Sequence, residues 1–152
     1  MPVTQLDQAG LALITQFEGC VLHPYLDSVG IPTIGIGMTY YPGTGEKVTM
    51  QDPSITQQQA DDYFIQNAQP YASAVHLSTV PVLNQNQFNA LFSLCYNIGI
   101  NGFKNSTVLS LVNQNITDDR LKQAFLMWTK AGGKVLQGLV TRRTKEYQVY
   151  IS

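Results

Sequence analysis

From Thr4 to Gly19 the apolar residues Leu6, Ala9, Leu13, Ile14 and Phe17 recur every three or four positions, the spacing of a helix with one buried face. Thr4 is the expected cap, with Asp7 three residues on, and Gly19 is the expected stop. After Pro24 the period shortens to two. Ile34, Ile36, Met38 and Tyr40 alternate with Thr33, Gly35, Gly37 and Thr39, which predicts a strand with one bulky and one nearly bare face. Glycine weakens a strand, so two on the same side imply that backbone or ligand comes close there. Pro42-Gly43-Thr44-Gly45 then reads as a hairpin turn before Glu46 to Thr49 returns.

Beyond Asp52-Pro53 the helical period resumes. Thr56 and Gln59 form a capping box, Ile55 can staple onto Ala60, and Tyr63, Phe64 and Tyr71 carry the apolar side past an expected kink at Pro70. Asn84 with Gln87 starts a second helix through Phe88, Leu91, Phe92, Cys95 and Ile98, closed by Gly99 and expected to be the central buried one. Shorter pieces follow at Ser106–Val112 and Thr117–Trp128, the second with Leu121, Ala124, Phe125 and Trp128 on one side, where Trp128 reads as core. Gly132-Gly133 breaks the chain before a last helix bearing Val135, Leu136, Leu139, Val140 and Tyr147. Helix, small sheet and helical bundle make an α+β protein with its sheet segregated at one end.

Composition narrows the function. The chain has 152 residues, 44% of them hydrophobic, enough for one compact domain with a real core. Nine basic and ten acidic residues leave a formal charge of −1, which is not the footprint of a nucleic-acid binder. No apolar run approaches a membrane span, and Met1 to Gly19 lacks the pattern of a secretory signal, so a soluble chain without an export address is expected. Cys20 and Cys95 are too few to staple a chain of this size and are expected as free thiols.

The residues able to do chemistry gather near the amino end. Glu18 ends the first predicted helix, and nine positions later Asp27 opens a loop with Ser28 and Gly30. Glycosidic cleavage needs one carboxyl to protonate the leaving oxygen and another, ionised, to act on the sugar side. The carbonyl end of a helix, with apolar Phe17 and Leu22 beside it, suits Glu18 to the acid form. A loop with water and backbone N–H donors suits Asp27 to the charged form. Thr33 offers a hydroxyl that can hold a water with Asp27, which would invert the anomeric centre; a short gap between the carboxyls would instead permit direct attack and retention. Spacing along the chain leaves both open.

Competing constellations are weaker. Cys20 and His23 are three apart, but thiol and base usually meet from distant segments, and Pro24 follows directly. His23 and His76 make no metal spacing with the cysteines, and Gly35-Ile36-Gly37 lacks the third glycine and the following helix of a dinucleotide fingerprint. No metal or cofactor is expected.

The string Phe17-Glu18-Gly19, Pro24-Tyr25-Leu26-Asp27, Gly30, Thr33-Ile34-Gly35-Ile36-Gly37 resembles the active-site region of the phage-type lysozymes, the glycoside hydrolase family 24 endolysins related to the T4 enzyme. Further matches run through Gln87-Phe88-Asn89-Ala90-Leu91, Tyr96-Asn97-Ile98-Gly99, Phe103, Ser106-Thr107, Trp128, Gly132-Gly133, Leu136, Gly138-Leu139-Val140, Arg142-Arg143 and Glu146. The resemblance implies hydrolysis of the β-1,4 bond between N-acetylmuramic acid and N-acetylglucosamine in peptidoglycan, with Glu18, Asp27 and Thr33 at the catalytic positions and inversion the usual outcome. It implies one lysozyme domain over residues 1–152: a small β lobe at about 20–55, a helical part at 1–19 and 56–152, and a substrate cleft between them, joined by a long helix from about Thr56. Tyr25, Gly37, Tyr96, Asn97 and Arg142 become candidate substrate contacts, although Tyr96 and Asn97 also suit the apolar side and the end of a central helix. Arg142-Arg143 ordinarily reads as a solvated helix face.

The implied partner is the peptidoglycan glycan strand, reached by a monomer made in the bacterial host cytoplasm and released to the wall with the help of a holin-type membrane protein. Two departures stand out. Met38 occupies a place where the family often has histidine, and the net charge is not basic as in many lytic members. The alternatives are a silent wall-binding phage component and a non-hydrolytic lytic transglycosylase.

Overall fold

A computed structural model describes residues 1–152. In chain order it contains α1 (Gln8–Glu18), β1 (Val21–Leu26), β2 (Pro32–Gly35), α2 (Gln57–Asn67), α3 (Gln69–Ser78), α4 (Gln85–Ile98), α5 (Ile100–Lys104), α6 (Thr107–Asn113), α7 (Asp119–Leu126), β3 (Lys130–Ala131), β4 (Lys134–Val135) and α8 (Gln137–Ile151). The architecture is α+β, dominated by helices, with two small two-stranded antiparallel sheets. The chain forms two compact units, one of residues 11–69 and one of residues 1–10 with 70–152.

In the unit of residues 11–69, β1 and β2 form an antiparallel hairpin with Val21 opposite Gly35, Tyr25 opposite Thr33 and Leu26 opposite Pro32. Its register is irregular between Val21 and Tyr25, the stretch that holds Pro24, which has no N–H to give the ladder. The strand expected from Thr33 to Tyr40 ends at Gly35. Gly35 and Gly37 have φ of +66° and +63°, so the chain turns there, and Ile34 and Met38 close the turn through reciprocal backbone hydrogen bonds of 2.9 and 3.0 Å. The close approach expected at the glycines is real at Gly35, where a Cβ would lie 3.6 Å from that of Ala60 on α2. Ile34, Met38 and Val48 form a small core beneath Tyr41, Ile55 and Tyr63. The turn at Pro42–Gly45 is present, its arms joined by Tyr41 N–H to Glu46 O and Val48 N–H to Thr39 O, both 2.9 Å, as a single bridge and not as two strands. Asp52 pins that hairpin by accepting from the Tyr41 hydroxyl (2.7 Å) and from the Thr49 amide and hydroxyl.

The capping box of Thr56 and Gln59 starts α2, but the single long helix expected from there is two helices. Ala68 caps α2, and Pro70 sits in the first turn of α3, where its missing N–H breaks nothing.

In the other unit, α4 starts at the capping box of Asn84 and Gln87, and every residue from Phe88 to Cys95 is buried, as befits a central helix. The cap of α1 is Asp7, not Thr4: Asp7 Oδ1 accepts from Gly10 N–H at 2.9 Å and from Asn89 Nδ2 of α4 at 2.8 Å. Ser106 caps α6, and Asp118 caps α7. Gly132-Gly133 is the turn of the β3–β4 hairpin, so Val135 and Leu136 precede α8 instead of belonging to it. The buried residues of α8 are Arg142, Arg143, Glu146 and Tyr150, so charged residues occupy the side assigned to apolar ones.

Candidate active site

Glu18 is the last residue of α1; the Gly19 N–H returns to Thr15 O at 2.9 Å and ends the helix beneath it. The Glu18 side chain is exposed, and Phe17 and Leu22 are half-buried. The apolar shell expected around it is therefore absent.

Asp27 follows β1 and closes its own loop. Its Oδ1 accepts from Val29 N–H and Ile31 N–H, both at 2.9 Å, while its backbone pairs with Ile31 O at 3.0 Å and Gly30 N–H returns to Asp27 O at 3.0 Å. This is what an aspartate at the head of a turn does well: its short side chain replaces a backbone acceptor. The N–H donors expected from the loop are thus present and fix the carboxylate plane. Thr33 lies opposite Tyr25 and is buried, and its hydroxyl donates to Ile31 O at 2.8 Å. Because strand residues alternate faces, Tyr25, Asp27, Ile31 and Thr33 share one face of the hairpin, Asp27 diagonal to Thr33. Gly37 is exposed in the adjoining turn, with nothing within 4 Å of where a Cβ would stand.

The remaining candidates belong to the unit of residues 1–10 and 70–152. Tyr96 on α4 is half-buried, 5.1 Å from the Tyr71 ring edge-to-face and 6.1 Å from Phe92 in a stacked pair, so its ring is fixed. Asn97 is exposed near the end of α4. Arg142 and Arg143 are not on a solvated face: they are 4% and 0% exposed and converge on the fully buried Glu146. Glu146 Oε2 accepts from Ser93 Oγ at 2.5 Å and from Arg142 Nε at 3.3 Å, and Oε1 lies 2.7 Å from Arg143 Nε. Arg142 also donates to Ser93 O at 3.2 Å. Burial pushes the Glu146 carboxyl above the usual range, opposed by the Arg143 charge, the Ser93 hydroxyl and Arg142. Two buried cations share one carboxylate, a cluster that the sequence signals only through the i,i+3 and i,i+4 spacing of Arg143 and Arg142 to Glu146.

Cys20 exchanges weak hydrogen bonds with Gln57 (3.7–3.9 Å), not with His23, which contacts Pro24 O. Three or more His, Cys, Asp or Glu side chains suited to a metal ion come together nowhere.

The family model for phage lysozymes matches residues 15–146. The chain belongs to the phage lysozyme family. It is 36% identical over 148 residues to the endolysin of Salmonella phage P22, covering 97% of this chain and 99% of that protein. It is also 36% identical over 151 residues to the endolysin of Bacillus phage PZA, where it covers 97% of itself and 55% of the relative, about half that protein's length. A crystal structure of a single-site mutant of P22 lysozyme superposes with a TM-score of 0.87 at 34% identity, covering 99% and 100% of the two chains. This phage lysozyme has the lysozyme-type fold and is an enzyme of that class, and none of its helices is long and apolar enough to cross a membrane.

Proposed function

We propose that this chain hydrolyses the β-1,4 bond between N-acetylmuramic acid and N-acetylglucosamine in bacterial peptidoglycan. Glu18 protonates the leaving oxygen, and Asp27 with Thr33 directs a water at the anomeric carbon. The observation that carries the reading is the hydrogen-bond pattern of the β1–β2 hairpin. Asp27 Oδ1 is occupied by two backbone donors, which leaves Oδ2 for chemistry. Thr33 has given its single proton to Ile31 O, so its oxygen can only accept. A water that donates one hydrogen to Asp27 Oδ2 and the other to Thr33 Oγ1 keeps a lone pair directed away from both. That is the orientation required of a nucleophile, and it favours inversion over direct attack by Asp27.

The glycan strand is the partner, with Tyr25, Gly37, Tyr96 and Asn97 as its further contacts, and the whole chain acts as one lysozyme domain; Arg142, a candidate contact from sequence, is buried against Glu146 and Ser93 and supports α4 from behind. The protein works as a monomer, without cofactor, on the cell wall. It is made in the host cytoplasm and reaches its substrate once a holin-type membrane protein opens the way.

Turbidity of outer-membrane-permeabilised bacteria tests the reading. The wild-type chain clears the suspension, and Glu18→Gln lowers the rate by about 10²–10⁴-fold, the usual worth of a general acid. Equal rates would remove Glu18 from its role, and a wild-type chain that binds walls without clearing them would be the silent component. Mass spectrometry of the fragments separates hydrolysis from the formation of anhydro sugars, and NMR of freshly released anomers reads the stereochemistry.

A further inference from the structure

Asn97 is exposed, yet its amide is not free to choose its orientation. Arg143 Nη2 donates to Asn97 Oδ1 at 2.9 Å, and a guanidinium has donors only, so the oxygen must face the arginine and the amide nitrogen must face away. Arg143 is itself immobile. It is 0% exposed, and its Nε lies 2.7 Å from Glu146 Oε1, while the other oxygen of that carboxylate is held by Ser93 Oγ at 2.5 Å. Ser93 and Asn97 are four residues apart on α4 and so lie on the same side of the helix. The sequence of contacts therefore leaves α4 at Ser93, crosses α8 through Glu146 and Arg143, and returns to α4 at Asn97. Through Arg143 this buried ionic frame reaches an exposed amide.

We propose that Arg143 is a positioning residue and that Asn97 is the donor it sets: an N–H pair presented outward to take the carbonyl oxygen of an N-acetyl group on the glycan strand. The ligand class rests on the lysozyme reading above; the orientation of the amide does not. Fixing the rotamer in advance means that no side-chain freedom is lost when the sugar binds, so the donor adds affinity and selects acetylated over de-N-acetylated strands. A hydrogen bond to an N-acetyl group made equally in ground and transition states acts in KM and leaves kcat alone.

Peptide-free peptidoglycan glycans, native and chemically de-N-acetylated, are the probes, titrated by calorimetry into Glu18→Gln protein so that binding is read without turnover. Asn97→Asp keeps an acceptor for Arg143 but presents no outward N–H. It is expected to weaken binding of the acetylated glycan at least tenfold, to leave binding of the de-N-acetylated glycan undiminished, and to keep the thermal midpoint of its parent. In the active background the same change raises KM with kcat retained. Arg143→Lys, which lacks the fork that serves Glu146 and Asn97 together, weakens acetylated binding in the parent and adds nothing once Asn97 is Asp. The Asn97 variants leave the buried frame intact, so they carry the test even if the Arg143 variant fails to fold. Acetylated binding within twofold of the parent in both Asn97→Asp and Asn97→Ala overturns the proposal, as does an Arg143→Lys effect that is fully additive with theirs. A wild-type chain that never clears cells overturns the lysozyme reading instead, and the two failures are thereby told apart.

Discussion

Removing Glu146 separates the two roles a buried charge cluster can have. The carboxylate is 0% exposed and is the common acceptor of Ser93 Oγ, Arg142 Nε and Arg143, at 2.5, 3.3 and 2.7 Å for the nearest atoms of each. Glu146→Ala leaves two arginines in the interior without their carboxylate and strips the Ser93 hydroxyl of its acceptor. Breaking a buried pair from one side destabilises by about 3–5 kcal/mol, because the stranded charge keeps its desolvation penalty. Of a total stability of about 5–15 kcal/mol that is a large share. At about 2–4 °C per kcal/mol for a chain of this size, the thermal midpoint should fall by roughly 6–20 °C. Ser93→Ala removes two hydrogen bonds to charged groups, the one its hydroxyl donates to Glu146 and the one it accepts from Arg142 Nη2 at 3.3 Å, and should lower stability by at least about 1.5–3 kcal/mol. The contrasting variant replaces Arg143 with Met and Glu146 with Leu together. Exchanging both partners for apolar side chains strands less charge, so it should unfold later than Glu146→Ala alone despite carrying one more substitution. Urea melts at neutral pH followed by circular dichroism measure all three. A Glu146→Ala change of less than about 1 kcal/mol would refute the reasoning, since the carboxylate would then be an ornament of the arginines and not their counter-charge.

Gly10→Ala places a methyl 2.5 Å from Asn89 Oδ1, which Gln85 and Asp7 hold in place, so overpacking of about 1–3 kcal/mol should exceed the helix gain of about 1 kcal/mol; the melt should shift down, and adding Asn89→Ala should recover part of it. Hydrogen bonds from Thr49 and Tyr41 hold Asp52 below the usual carboxylate range, so its contribution is present above about pH 4, the unfolded value, and is lost as pH falls through the lower folded one; Asp52→Asn should flatten the acid limb of a stability–pH curve. Burial, then the bond to Asp52, pushes Tyr41 up to about 12, so its share of stability is full below about pH 10 and fades as pH rises towards 12, which ultraviolet titration of Tyr41→Phe against the parent would register. Burial also pushes the Cys95 thiol up to about 12, so a disulfide reagent at pH 8 should label Cys20 alone in the native protein and both cysteines in denaturant; Cys20→Ser protein that reacts without denaturant would contradict this.

Local chemistry was the most legible part of the chain. The boxes at Thr56/Gln59 and Asn84/Gln87 are read from residues three apart, and both form. The turn that begins at Asp27 and the hairpin at Pro42–Gly45 follow from residues that turn chemistry favours. What failed in the reading turned on a distant partner or a backbone sign. β1 has no alternation and contains a proline, so it is visible only through its pairing with β2. The glycines at 35 and 37 suit a bare strand face and a left-handed turn equally well as letters, and only φ distinguishes the two. Two adjacent arginines look like a wet helix face because Ser93, which helps to bury them, is 49 residues or more away. Within the candidate site, the loop at Asp27 and the strand at Thr33 were apparent from residue type and spacing. Which atom of each was already committed to the loop was not, since both commitments run to backbone groups of Val29 and Ile31.

On the proposed mechanism, the aspartate that shuts its own loop divides its two oxygens between architecture and reaction, and an asparagine can imitate the first without the second. With its carbonyl on the Val29 and Ile31 amides and its NH2 turned outward, Asp27→Asn would preserve the hairpin while disabling the base. Such a protein would be a cutter made into a grip: shaped for its target, unable to sever it, and suited to mark bacterial surfaces rather than dissolve them.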